Sequence, residues 1–561
     1  QCFFRYVDSF STSSTKKPKC TGPEFNELHL FKVSLTLAVS MTACGNPQIE
    51  KESETVSEEL NSDSIAKGVE IEIEGASYIT LSDEAITIDG KKATSNEQKT
   101  VYVANDIVYY EDGKDFTYGD GEEKDAHSKE EADKHTVVHI TKPGTYVLSG
   151  KLSAGQIAVD LGDDAKDDEE AVVTLVLNGV DITCSVAPGV IFYNVYECSS
   201  SEKKDAVRDV DTSAAGANVL IPDGTDNIVR GSYVAKIYES VELNEEGTEV
   251  VDSKKLHKYD AAFCSKMSMN IDGEETDSGV LNIWAENEGL DSELHLTING
   301  GQINIVSGND GINTNEDNVS VTTINGGWLN IRVDGSTGEG DGIDSNGWLV
   351  INGGVVNTVA CSTSMDAGID SDKGIHINGG TVVAGGNMLD HISDSEQGYV
   401  VFMFSDKVKG GEEITLMKDE ESHFVSMPND YTYLLMSKAS FGDEGVYTLW
   451  KGDKQLSVIE TSGGGMMMPG GFGDGQMPED FEPGQMPEGF EPGERPEKSG
   501  RFENGERPAM PENFEPGKTS EGFEPGRMPG KKGGFEKMNL EDAKTEFEIK
   551  SGENMFMVVS R

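Results

Sequence analysis

The string Ile-Asn-Gly-Gly begins at Ile298, Ile324, Ile351 and Ile377, at intervals of 26, 27 and 26 residues. A fixed period in the twenties means that one structural unit recurs and stacks on its neighbour, because a single unit cannot bury its own apolar face. The runs flanking these strings, such as 294–298 and 302–306, alternate apolar and polar residues and are too short for helices. The spacing therefore predicts coils of two or three short strands. A nine-residue calcium roll needs a period three times shorter and is excluded.

The second half of each repeat carries a turn glycine, an inward aliphatic residue and a flanking acid: Glu288 to Ser292, Asp310 to Thr314, Asp341 to Ser345, and Asp366 to Ser371. Coils of this length and pattern predict a parallel β-helix, in which strands of successive coils lie about 4.8 Å apart and equivalent side chains form columns. Ile303, Leu329, Val356 and Val382 align as an inward column. Gln302, Trp328, Val355 and Thr381 then point outward, as do Asn282, Asn304, Asn330 and Asn357 in a second column and Trp284, Val306, Arg332 and Val359 in a third. Outward indole beside rows of amides suits sugar rings, whose apolar face stacks while the hydroxyls take hydrogen bonds. Trp284, Trp328, Asn304, Asn330 and Arg332 are the candidate carbohydrate contacts, with Trp348 on the preceding strand as the fallback. The Asn column reads equally well as an amide ladder holding the coils in register. Asn299, Asn325, Asn352 and Asn378, ahead of the double glycine, are expected to be structural. His295 and His376 fall on outward phases.

Asp291, Asp310, Asn313, Asp341, Asp344, Asp366 and Asp370 are expected to stack along one edge. Carboxylates on neighbouring coils would sit about 4.8 Å apart, roughly twice a Ca–O distance of about 2.4 Å, so Ca2+ could bridge them. Solvated turn acids are the alternative, since Asp-Gly is good turn chemistry in its own right.

Gly340 to Gly347 (Gly-Asp-Gly-Ile-Asp-Ser-Asn-Gly) leads into the third Ile-Asn-Gly-Gly. Upstream, Lys142 to Gly150 (Lys-Pro-Gly-Thr-Tyr-Val-Leu-Ser-Gly) precedes Val176 to Ile182 (Val-Leu-Asn-Gly-Val-Asp-Ile). In this order the motifs resemble the carbohydrate-binding-domain proteins of anaerobic Firmicutes, over roughly residues 79 to 460. The resemblance implies a right-handed parallel β-helix related in shape to pectate lyases, associated with plant cell-wall polysaccharide and with calcium. Acidic insertions near 94–135, 162–170 and 239–258 depart from the family pattern.

A solenoid can hold a long core with only 36% apolar residues, so a chain of 561 residues needs no second globular domain. The formal charge of −55 and a pI near 4.4 exclude nucleic acid and anionic membrane as partners, since both select cationic surfaces. Seven cysteines without close pairing or ligand spacing read neither as a disulfide framework nor as a zinc site. Cys44 follows an apolar run (33–43) within Met-Thr-Ala-Cys-Gly, a lipoprotein-like signal, and an acidic tether follows it.

The expected organisation is a leader over 1–45, an acidic linker over 46–66, the β-helix over 67–397 and a β cap or small appended sheet over 398–460. A disordered Pro/Gly/Met-rich segment with recurring Phe-Glu-Pro-Gly follows over 461–538, and terminal strands over 539–561. The ending, 545–559, is expected to return and pair with the body near 399–450, with Phe547, Ile549 and Phe556 inward. Catalysis finds little support: between Gly279 and Ser395 only Arg332 and Lys373 could serve as the cationic base of a lyase. The expected function is thus non-catalytic binding of pectic or cellulosic polysaccharide by a monomeric, calcium-stabilised lipoprotein at the cell surface. A polysaccharide lyase is the alternative, and a structural adhesin or spacer the second.

Overall fold

The computed structural model describes residues 65–442, 444–461 and 540–559. Cys44, the leader over 1–45, the 461–538 segment beyond its first residue and nearly all of the acidic linker lie outside the described residues. The described chain is all-β; its helical content is one short α-helix, Lys129–Ala132, and four 3-10 turns.

Successive repeats supply strands to three parallel ladders, although residues 366–371 add none to the third. The first ladder joins Met269–Gly273, His295–Ile298, Val321–Ile324, Trp348–Ile351 and Ile375–Ile377. The second joins Val280–Ala285, Gln302–Ser307, Trp328–Val333, Val355–Val359 and Thr381–Gly386. The third joins Ala261–Ser265, Glu288–Ser292, Ile312–Thr314 and Ile343–Ser345. Toward the N-terminus, the long strands Gly144–Leu152 and Val173–Cys184 serve the first two ladders at once, and Thr136–Ile140, Gly155–Asp160 and Val190–Asn194 extend the third.

The double glycine between the first and second ladders has a steric cause. Gly327 and Gly354 hold φ of +79° and +78°, and a Cβ on Gly327 would stand 2.5 Å from the carbonyl oxygen of Gly301 one repeat earlier. Only glycine tolerates both the left-handed backbone and that approach. The inward aliphatics Leu281, Ile303, Leu329, Val356 and Val382, with Leu290, Ile312 and Ile343 from the third ladder, are essentially inaccessible and form one continuous core.

Two amide ladders run along the stack. From Asn282 onward, the Nδ2 of Asn304, Asn330 and Asn357 each donates to the Oδ1 of the preceding member at 2.9–3.0 Å, and Asn282 itself donates to Asp226. Asn325, Asn352 and Asn378 do the same from Asn299, which donates to Asp272. Both rows start on a carboxylate, an acceptor that needs no donor behind it.

The insertions fold back over the outside. Residues 234–259 form an antiparallel pair, Val234–Leu243 with Val250–Tyr259, and with 107–132 they build a second apolar cluster against the outer side of the third ladder, including Ile107, Tyr110, Val234, Tyr259 and Cys264. At the other end, Tyr431–Ser437 pairs antiparallel with Thr381–Gly386 and so terminates the second ladder. Glu553–Val559 lies parallel to Tyr399–Val408 and antiparallel to Ser457–Glu460, while Phe547–Ile549 pairs with Gly445–Lys451. Phe547, Ile549 and Phe556 are buried beside Phe402 in a third cluster that also takes in Val359 and Val383 of the second ladder.

Three outward expectations are corrected. Val359 is fully buried because the 399–461 segment packs on its strand. His376 is 6% exposed, its Nδ1 against the carbonyl of Asp394 in a loop that crosses the first ladder. His295 is 2% exposed, and its Nδ1 accepts the backbone N–H of Val321 on the next strand.

Candidate polysaccharide face and acidic edge

The outward positions of the second ladder bring five of the six candidate sugar contacts onto one face. Strand Trp328–Val333 presents Trp328, Asn330 and Arg332 in a row, with Trp328 53% exposed and Arg332 exposed. Trp284 aligns with Val306 and Arg332 across the strands. Trp284 is half-buried, because the Arg230 guanidinium lies over its ring at 4.9 Å and is itself held by Asp181 at 2.9 Å. Asp181 also pairs with Lys151. Arg332 donates through Nε to Asn429 Oδ1, and Asn429 in turn donates to the carbonyls of Val333 and Ala360. The cap therefore braces one end of the face. Asn304 and Asn330 each spend one amide hydrogen and the carbonyl oxygen on the ladder, which leaves one amide N–H apiece for a ligand. Trp348 is separate: it stands on the first ladder, beneath the Lys373 ammonium at 3.9 Å.

The acidic residues do align. Asp291, Asn313 and Asp344 are register partners on consecutive strands of the third ladder. Ahead of them, Asp310 Oδ1 accepts the backbone N–H of Asp341, Asp341 Oδ1 that of Ala367, and Asp366 Oδ2 that of Gly340. Each turn carboxylate thus ties one repeat to a neighbouring one. Burial, then Asp344, pushes the Asp310 carboxyl up to about 8; burial, then Asp370 and Asp310, pushes Asp341 up to about 10. Burial also raises Glu288 and Asp291 well above the usual carboxylate range.

Glu288 was absent from the candidate ligands; its Oε1 accepts from Asn313 Nδ2, while its Oε2 and Asn313 Oδ1 are buried with no hydrogen-bond partner. Two orphaned acceptors on adjacent strands, amid like charges, fit an oxygen-seeking cation. Among the described residues, no three His, Cys, Asp or Glu side chains converge closely enough to hold a metal by themselves, so amide or carbonyl oxygens would have to complete any site.

The structure also gathers cations that the linear count between Gly279 and Ser395 did not include. Lys258 pairs with Asp260 at 2.6 Å, and Lys266 with Glu293 at 2.7 Å, beside Asp291 and Cys264 on the outer side of the third ladder. Burial opposes the Lys258 charge, but Asp260 outweighs it and holds the ammonium above its ordinary range.

Residues 134–401 match the family described as carbohydrate-binding domain-containing protein. The chain is similar to that carbohydrate-binding domain family, as its motifs indicated. A carbohydrate-binding domain-containing protein of Acetivibrio thermocellus is 29% identical over 169 residues, 30% of this chain, and the match spans 44% of that relative's length. A solved structure described as the polysaccharide lyase-like protein from C. thermocellum, as a gadolinium derivative, is 19% identical at a TM-score of 0.32, covering 57% of this chain and 94% of its own. The family match contains both the second-ladder face and the acidic edge.

Proposed function

We propose that this chain binds polysaccharide without cleaving it, along the outward face of the second ladder. The observation that carries the reading is the row Trp328, Asn330 and Arg332 on one strand, with an indole left 53% exposed beside an amide and a guanidinium. A large apolar ring left in water at the end of a polar row is suited to stacking on a pyranose. The family's description as a carbohydrate-binding domain supports this at the level of ligand class. In the finer reading, the three ladders close into a right-handed parallel β-helix, the glycan is pectic or cellulosic, and the monomeric protein is tethered outside the cell through Cys44. Calcium would be held near Glu288, Asp291, Asn313 and Asp344, with the turn acids Asp310, Asp341, Asp366 and Asp370 alongside. There it would neutralise like charges and rigidify the edge rather than react.

Retention on a panel of insoluble cellulosic and pectic polysaccharides, with and without chelator, tests the proposal. Trp284→Ala with Trp328→Ala should lower retention by tenfold or more with an unchanged circular dichroism spectrum. Retention equal to the unsubstituted chain would move the site elsewhere. A lyase is the second reading, favoured by Lys258 and Lys266 standing beside the acidic column. Unsaturated uronide absorbance on incubation with pectate and calcium would establish it. Failure to bind any polysaccharide would leave a structural spacer.

A further inference from the structure

With 101 acidic residues against 46 basic ones, a guanidinium of this chain should find a carboxylate beside it. Three arginines fall among the described residues. Arg208 pairs with Asp209 at 2.9 Å and Arg230 with Asp181 at 2.9 Å. Arg332, on the outward face of the second ladder, has an amide instead: its Nε donates to Asn429 Oδ1 at 3.2 Å. The acids next to these two residues in the chain are engaged elsewhere. Asp334, just past the strand of Arg332, accepts the backbone N–H of Ser336 at 2.8 Å, and Asp430 pairs with Lys409 at 2.6 Å.

Asn429 is 8% exposed and donates its amide hydrogens to the carbonyls of Val333 and Ala360, at 2.6 and 2.8 Å. Those two bonds fix the direction of its oxygen, and through it the guanidinium. A guanidinium held at Nε still presents its two terminal nitrogens as a fork, the geometry that takes a carboxylate through parallel hydrogen bonds. Arg332 is exposed, so the fork is open to a ligand. Holding the side chain in advance also removes part of the ordering cost of binding. Trp284 lies two strands away in the same column, about 10 Å, and Trp328 four residues back along the same strand, about 13 Å. A glycan of a few rings that stacks on either indole therefore reaches Arg332.

We propose that Arg332, set by Asn429, is the residue that reads a carboxylate on the bound glycan, so that this face prefers a uronate-bearing chain over its uncharged counterpart. The assignment rests on the polysaccharide reading for the site and goes beyond it in naming the charge of the ligand and the group that meets it. The net charge of −55 opposes a polyanion mainly at long range, where exposed charges more than about 8 Å apart are screened at physiological salt. A direct fork-to-carboxylate contact escapes that screening.

Retention of the full chain on immobilised polygalacturonate and on its methyl ester, which keeps the rings and removes the charge, tests the assignment. The unsubstituted chain should prefer the acid about tenfold, and Arg332→Gln should lose that preference while keeping its retention on the ester. Asn429→Ala should reduce the preference in the same way, whereas a merely structural loss would lower retention on both. Arg208→Gln should change neither. Equal retention of acid and ester by the unsubstituted chain overturns the proposal. So does a preference that Arg332→Gln leaves intact; if chelator then removes it, the carboxylate is read by calcium. Polyglutamate retained as strongly as polygalacturonate would make the fork a site for acidic protein instead. The parent reading fails separately, when the unsubstituted chain is retained on neither glycan or when Trp284→Ala with Trp328→Ala leaves retention on the ester unchanged.

Discussion

Asn330→Ala and Asn352→Ala remove the same side chain from the same kind of ladder in neighbouring repeats, and the structure sets their costs apart. Asn330 donates to Asn304 at 2.9 Å and accepts from Asn357 at 3.0 Å. Asn357 is 6% exposed, its own Oδ1 already lacks a partner, and the ladder ends there because Val383 is the next residue in register. Deleting Asn330 therefore leaves an entire buried amide unpaired. Two hydrogen bonds at about 1 kcal/mol each, with an orphaned buried donor at about 1–3 kcal/mol in place of a simple loss on one side, give a cost of about 2–4 kcal/mol. Asn352 makes the same two bonds, to Asn325 and from Asn378, but is exposed, and water can take over both partners. Its cost should be about 1 kcal/mol or less. Urea unfolding of the two variants beside the unsubstituted chain, followed by far-ultraviolet circular dichroism, measures the difference. Equal losses would refute the argument that burial, rather than the ladder itself, sets its contribution.

His295 has its imidazole pushed down to about 4 by burial, so its stability contribution is present above the unfolded value near 6.5 and is lost as pH falls toward 4. At pH 5 the loss is about 2 kcal/mol relative to pH 8, and a His295→Gln variant should show a correspondingly smaller pH dependence in parallel melts. Phe556→Ala should cost about 3–5 kcal/mol, since its ring is 2% exposed and packs 4.6 Å from Phe547 and 5.9 Å from Phe402. Truncation after Ser462 should lower the melting temperature or cause association, and a truncated chain that melts and elutes like the full one would show the terminal strands to be dispensable. If calcium binds the folded chain alone, a hundredfold excess over its dissociation constant should add about 2.7 kcal/mol. Melting unchanged by chelator, and unchanged again in Asp341→Asn with Asp370→Asn, would dismiss the ion.

Repetition made part of this protein legible from its sequence. The 26- and 27-residue intervals and the double glycines name the stacking unit, because a stacked repeat meets the same steric problem at each turn, as Gly327 does against Gly301. The inward column from Leu281 to Val382 and the outward row at Trp328 follow from period-two alternation once that unit is set. The amide rows could be phased but not interpreted: Asn330 reads alike as a sugar contact and as a rung, and only the 2.9 Å contact to Asn304 shows it as a rung. What lies over each outward face was decided by tertiary structure alone. Alternation places His376 and Val359 outside, yet segments beyond the repeats cover them, just as Asn429 reaches Arg332 from 97 residues away. Tyr102 stacked on His139 and Lys258 paired with Asp260 arise in the same way, where insertions fold back on the stack. A strand's pattern reports which side faces the core; it carries no record of what a remote loop, free to fold over the other side, will bring there.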